Sequence, residues 1–298
     1  GINATRKNNV TIKNCVVSNF TQGIYFSATN NSLVQNNTAY DNTLYGIWLQ
    51  TASSANLITG NSAFKNVQNG VYLSFSNNNS IADNFVYNNT QAGINLVSSS
   101  NNAISDNSAY NNTFGLRFSG SNNNLITDNS AYDNRYGINL ASSSNNTIKN
   151  SFTYANVQHG IWLSSSNNNT IVNNTSYNNT MEGIYLDLTN NSRIIINLVF
   201  NNRYDAYIWR SNNATISNNT ASRSAKGIYL SLSNNSLISN NIAYTNTDQG
   251  IAIGGLNTNN TVSNNTVYNS SNTGIEVSGA TNALVENNKA HNNNGQGI

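Results

Sequence analysis

The 298-residue chain has no proline, one cysteine, one methionine and two histidines, and only 8% of its residues are charged. Each shortage excludes something. Without proline no backbone donor is removed from a strand ladder, which suits a chain that pairs nearly all of its backbone. A lone Cys15 cannot build an internal disulfide framework and reads as a small buried residue. Thirteen Lys and Arg against eleven Asp and Glu form no basic stripe, so no nucleic-acid partner is expected. No segment has the length and apolarity of a membrane span.

What is abundant is asparagine, roughly a quarter of the chain, and a dipeptide of glycine and an aliphatic residue that returns at near-constant spacing. It appears at Gly1, Gly23, Gly46, Gly70, Gly93, Gly115, Gly137, Gly160, Gly183, Gly227, Gly250, Gly274 and Gly297, with Ala206-Tyr207 as a degenerate copy. The intervals run from 21 to 24 residues. Around each copy, short runs such as Ile47 with Leu49, Leu57 with Ile58, and Ala63 with Phe64 show the period of strands, and none shows the 3.6-residue period of a helix. A unit this short cannot bury its own apolar face, so each must stack on the next at about 4.8 Å per turn. The expected fold is all-β: a single parallel β-helix domain over residues 1–298, of about thirteen rungs.

Aligned copies reveal columns. One runs Cys15, Asn37, Asn61, Asn84, Asn107, Asn129, Ser151, Asn174, Asn197, Asn219, Asn241, Asn265, Asn288, and side-chain amides stacked this way can bond to one another and to turn backbone. A second column of tyrosine and phenylalanine, including Tyr40, Phe64, Tyr87 and Tyr110, reads as a core or corner device. About twenty N-x-[ST] sequons, among them Asn36, Asn78, Asn88, Asn111, Asn145, Asn168, Asn178, Asn234 and Asn264, favour an extracellular or envelope-surface protein that is glycosylated. Both ends fall at the same phase of the repeat, so the residues are expected to be cut from a longer chain or to associate head to tail.

The string N-x-I-x-x-N-x-A-Y-x-N-x-x-G-I-x-L, seen from Asn102 and again from Asn124, resembles the right-handed β-helix repeats of the carbohydrate-binding and sugar-hydrolase (CASH) group, including the NosD-like family. It also resembles asparagine-rich surface proteins of methanogenic archaea. The resemblance covers the whole chain and implies right-handed, pectin-lyase-like winding; that fold hosts lyases, hydrolases, adhesins and structural proteins. The copper chemistry of NosD-like proteins is not expected, because Cys15, His159, Met181 and His291 lie on distant rungs. Polygalacturonases of this fold carry an aspartate trio, Gly-His-Gly and Arg-x-Lys; here only Gln158-His159-Gly160 approaches that pattern.

Three columns carry candidate chemistry. The one just before the glycine reads Tyr136, His159, Glu182, Asp205, Lys226, Gln249. Of these His159, Glu182, Asp205 and Lys226 are catalytic candidates, since carboxylates one rung apart approach the about 5 to 5.5 Å of a retaining glycosidase, while alternating charges also make a stabilising ladder. Asp83, Asp106 and Asp128 share another column, where a calcium ion with oxygen ligands or a plain solvated face are the alternatives. Two residues after the glycine the column reads Tyr25, Trp48, Tyr72, Asn95, Arg117, Asn139, Trp162, Tyr185, Ile208, Tyr229. Tyr25, Trp48, Tyr72, Arg117, Trp162 and Tyr185 are the candidates for binding a polysaccharide or cell-surface glycan, by ring stacking and a carboxylate contact. The expected function is a structural or adhesive β-helix, with a polysaccharide lyase or glycoside hydrolase as the alternative.

Overall fold

The computed structural model describes residues 1–298, all in strands, bends and turns, which fall into two compact units, Gly1–Phe152 and Thr153–Ile298. Both are parallel β-solenoids, about thirteen turns in all. In the first unit a representative turn runs through a long strand, Tyr45–Gln50, then Leu57–Thr59 and Ser62–Phe64. These pair in parallel with Val71–Ser74, Ser80–Ala82 and Phe85–Tyr87 of the next turn, like residue on like residue. Ile47, Leu49, Ile58 and Ala63 are fully buried. Each large aliphatic contributes roughly 1.5–3 kcal/mol by burial, and each turn relies on its neighbours to close the core.

The repeated glycine has a steric cause. A Cβ on Gly46 would lie 2.6 Å from the Gly70 carbonyl oxygen, 2.9 Å from Asn66 Nδ2 and 3.1 Å from the Ala63 Cβ. The long strand therefore approaches the opposite corner too closely for any side chain. Small Ala39, Ala63, Ala109 and Ala131 on the third sheet follow from the same contact.

The asparagine column is an interior ladder. Asn84 Nδ2 donates to Asn107 Oδ1 at 2.9 Å and to the Ile58 and Ala82 carbonyls, while its backbone N–H donates to the same Asn107 oxygen. Three further ladders of the same kind were not anticipated. Asn42, Asn66, Asn89 and Asn112 form one corner. Asn56, Asn79, Asn102 and Asn124 form another, and the hydroxyls of Ser53, Ser99, Ser121 and Ser143 accept the backbone N–H groups of Thr29, Ser76, Ser99 and Ser121 at a third. Buried polar bends are thus satisfied internally.

The residue before each ladder amide takes a left-handed conformation, for example Asn36 at φ 53°, Asp83 at 57°, Asp106 at 56° and Asp128 at 57°. Asparagine, aspartate and glycine tolerate that region best. This accounts for many sequons: a left-handed Asn, a ladder Asn and a strand-opening Thr or Ser spell N-N-T/S. The stacked ring column lies elsewhere than expected. Tyr40, Phe64, Tyr87, Tyr110 and Tyr132 stack with centroids 4.8–5.2 Å apart, half-buried on the outside of the third sheet, because the alanine or valine before each ring takes the inward position.

The second unit repeats this plan with one change. Tyr204–Trp209 pairs so that Ala206 stands opposite Ile184 and Tyr207 opposite Tyr185. Asp205 therefore occupies the glycine position, one residue earlier than the Ala206-Tyr207 alignment placed the repeat. The corrected intervals on either side are 22 residues each. Asp205 is fully buried, which removes it from the column containing His159 and Glu182; Tyr204 stands there instead. By the same shift Tyr207, not Ile208, belongs to the aromatic column, and Ile208 is a core residue.

Candidate functional site

Along each long strand the glycine and the aliphatic residue after it are both buried, which interrupts strict alternation. The residues flanking that pair then both point outward, so the column before the glycine and the column two after it share one face. In the first unit Tyr45 and Trp48 have ring centroids 5.0 Å apart, Tyr25 and Trp48 4.8 Å, and Tyr45 and Tyr72 4.7 Å. Trp48 is half-buried and donates Nε1–H to Ser74 Oγ at 3.1 Å. Tyr25 donates its hydroxyl to Gln50 at 2.5 Å. Burial pushes the Tyr45 and Tyr72 hydroxyls up from the usual phenol range. Further along, the Phe114 and Tyr136 rings stack at 4.9 Å, with the Arg117 guanidinium 4.9 Å over Phe114 and that of Arg135 5.3 Å over Tyr136. Asn95 and Asn139 are covered rather than exposed, at 4% and 2%.

On the same face of the second unit the expected catalytic and glycan-binding residues are one cluster. His159 Nδ1 lies 2.7 Å from Glu182 Oε2, both nearly buried, and the His159 ring is 5.5 Å from Trp162 and 5.0 Å from Tyr185. Tyr185, Tyr207 and Tyr229 continue as a stack at 5.3 and 4.9 Å. Burial, then the charge of Asp187, pushes the Tyr185 hydroxyl far up. Asp187 is itself raised, chiefly by burial, and its Oδ1 is buried without a hydrogen-bond partner. Arg203 lies 4.8 Å over Tyr204 and Arg210 4.2 Å over Trp209. Lys226 bonds Asp248 at 2.9 Å and also Gln249, which in turn donates to Glu276 at 2.6 Å. Tyr204, Tyr207 and Trp209 escaped sequence reasoning because the register shift at Asp205 hid their columns, and Asp187 because its column otherwise holds residues such as Ser164 and Ser231.

Asp83, Asp106 and Asp128 sit exposed on successive bends, with Thr59 and Thr127 hydroxyls against Asp83 and Asp128. No group of three His, Cys, Asp or Glu is placed to hold a metal ion. Nor do the copper-type donors form a set. His159 faces Glu182, Met181 occupies the adjoining turn, where its N–H bonds Gln158, Cys15 donates to the Lys13 carbonyl, and His291 stacks on Tyr268. Of the sequon asparagines, Asn36, Asn78, Asn88, Asn111, Asn145, Asn168, Asn178 and Asn264 are exposed in left-handed bends, whereas Asn234 is half-buried and accepts a bond from the Thr258 N–H.

Among solved structures the chain resembles the periplasmic alginate epimerase AlgG, with a TM-score of 0.62 and 14% identity over 91% of this chain and 76% of that one. It resembles the A-module of the Azotobacter vinelandii mannuronan C-5 epimerase AlgE6 at a TM-score of 0.61 and 13% identity, over 97% and 91%. The Dettilon tailspike protein matches at 0.64 and 16% identity, over 91% of this chain and 61% of that one. At these identities the likeness is one of fold. No match was found among curated protein sequences. A family model for a right-handed β-helix region matches residues 97–209, bearing out the right-handed, pectin-lyase-like winding. The model described as periplasmic copper-binding protein (NosD) matches residues 1–134 and 179–298, and the chain belongs to the NosD family.

Proposed function

We propose that this chain is a glycan-binding β-helix of the cell envelope or its exterior, adhesive or structural in role, whose contact surface is the outer face of its long strands. The carrying observation is the convergence of two aromatic columns on that face, around Trp48 in one unit and Trp162 in the other. Flat half-exposed rings stack against sugar rings at small entropic cost. Two structural neighbours are named for epimerising alginate and mannuronan, and the NosD family and one of these neighbours are described as periplasmic, which supports both the ligand class and the location. No copper step is derived, because the donors do not assemble. Calcium at the Asp83 bends and glycan chains on the exposed sequons remain proposals of the same reading.

A polysaccharide-processing reading rests on the near-buried His159–Glu182 pair beside Tyr185, which would serve proton transfer at a bound sugar. The two-carboxylate hydrolase version fails for lack of a partner, since Asp205 faces the core. The test is a glycan array probed with the protein and with its Trp48→Ala/Trp162→Ala variant, followed by product analysis of every bound glycan. Binding that the variant loses, without product, is the expected result. Product that Glu182→Gln abolishes would replace binding with catalysis, and no binding by the parent protein would overturn both.

A further inference from the structure

Resting on that reading, we infer that the first unit's face selects acidic polysaccharides, with Arg117 and Arg135 receiving sugar carboxylates. The long strands of this unit, from Gln22–Ser27 to Tyr136–Ala141, contain no Asp or Glu. Arg117 nonetheless stands among them, and neither it nor Arg135 forms a salt bridge. Both guanidiniums are held over one stacked ring pair with no carboxylate partner.

Their surroundings fix how they are held. Arg117 Nε is buried with no acceptor, and on the paired position of the preceding strand Asn95, 4% exposed, is covered as well. Arg117 itself is half-buried and Arg135 exposed, so the outer amino groups of the two guanidiniums are what a ligand meets. A sugar carboxylate accepts from those groups; a uronic acid residue carries one, and a neutral hexose does not. Arginine suits the task because its charge persists at every physiological pH and its planar fork matches a carboxylate.

The experiment is calorimetric titration of the protein with a uronic acid oligosaccharide and with the same oligosaccharide after reduction of its carboxyl groups. The acidic form should bind at least about ten-fold more tightly, the size of one charge-assisted contact. Arg117→Gln and the exposed Arg135→Gln should each erase most of that preference while circular dichroism stays unchanged. Equal binding of the acidic and reduced forms, or a preference that survives both substitutions, overturns the acidic selection and leaves glycan binding standing. Failure of both oligosaccharides to bind, together with a silent glycan array, overturns the underlying reading as well.

Discussion

The two units build the same columns yet fill them differently. In the first the outward positions around Trp48 hold tyrosines, amides and an arginine, and no carboxylate lies on the long strands. In the second, Glu182, Asp187 and Glu276 join His159 and Lys226 on the corresponding positions. The contrast extends inside: where the first unit has only glycine at the close approach between sheets, the second has Asp205. A solenoid tolerates this because each turn answers chiefly to its neighbours, so one turn can change if the next one compensates. Here the compensation is visible. Opposite Asp205 the next turn supplies Ser224, where most turns carry an amide, and the Ser222 backbone also bonds the carboxyl. Ser224 Oγ donates to Asp205 Oδ1 at 2.5 Å and Asn202 Nδ2 does so at 3.1 Å.

The sharpest way to break this comparison is to move the acid without its compensation. Gly115→Asp in the first unit would place a Cβ 2.7 Å from the Gly137 carbonyl oxygen and 2.9 Å from both Ala131 Cβ and Asn134 Nδ2, with Asn134 in place of Ser224. Overpacking against backbone plus an uncompensated buried carboxyl should cost about 4 kcal/mol or more. Denaturant unfolding would register it as a large drop in midpoint or a failure to fold. Near-parental stability would show that Ser224 opposite Asp205 is incidental.

A smaller effect concerns pH. Burial holds the Asp205 carboxyl well above the usual carboxylate range, only partly opposed by hydrogen bonds from Ser224, Asn202 and the Ser222 backbone. The folded state therefore keeps a proton that the unfolded chain releases near pH 4. Stability from this group is full below that point and falls as pH rises toward the folded value, by at most about 1.4 kcal/mol per pH unit. Asp205→Asn preserves the acceptor that Ser224 and Asn202 use and cannot ionise. Its unfolding midpoint should be flatter than the parent's between pH 5 and 8 and higher at the alkaline end. An unchanged pH profile would mean that the parent carboxyl is solvated.

How much of this was legible depended on whether one residue type or a relation between turns carried the signal. The Gly-aliphatic repeat and the Asn37 to Asn288 column have one dominant steric or hydrogen-bonding cause per position, so the fold and its principal ladder could be read directly. The other ladders mix Ser, Thr and Asn, since a hydroxyl and an amide oxygen accept the same backbone N–H, and no single letter marks them. Asp205 misled because a carboxylate at a glycine position contradicts both size and polarity; only the serine at 224, where most turns carry an amide, betrays it, and it lies a full turn away. The shared outward face was hidden by local geometry, as two consecutive buried residues at Gly46-Ile47 defeat a simple alternation and bring Tyr45 beside Trp48.

The finest difference between the units is a single bend. In the Asn37 to Asn288 column the left-handed position before the ladder residue is Asn, Asp or Gly in every turn of the first unit, including Gly60 and Asp106, but in the second it is once Ile196, at φ 58°. A β-branched side chain in that region costs about 1–2 kcal/mol. Ile196 recovers little of this by packing, being 54% exposed, and its N–H bond to the Ser217 carbonyl would survive any substitution. Ile196→Asn should therefore stabilise the protein by about 1 kcal/mol, a rise of about 2 °C in melting temperature for a chain of this size. It creates no sequon, since Leu198 follows Asn197. The converse, Asp106→Ile, should cost about the same amount. If Ile196→Asn lowers the melting temperature, Ile196 is retained for an apolar contact on the outer surface of the second unit, and the bends of the two units differ by function rather than by tolerated strain.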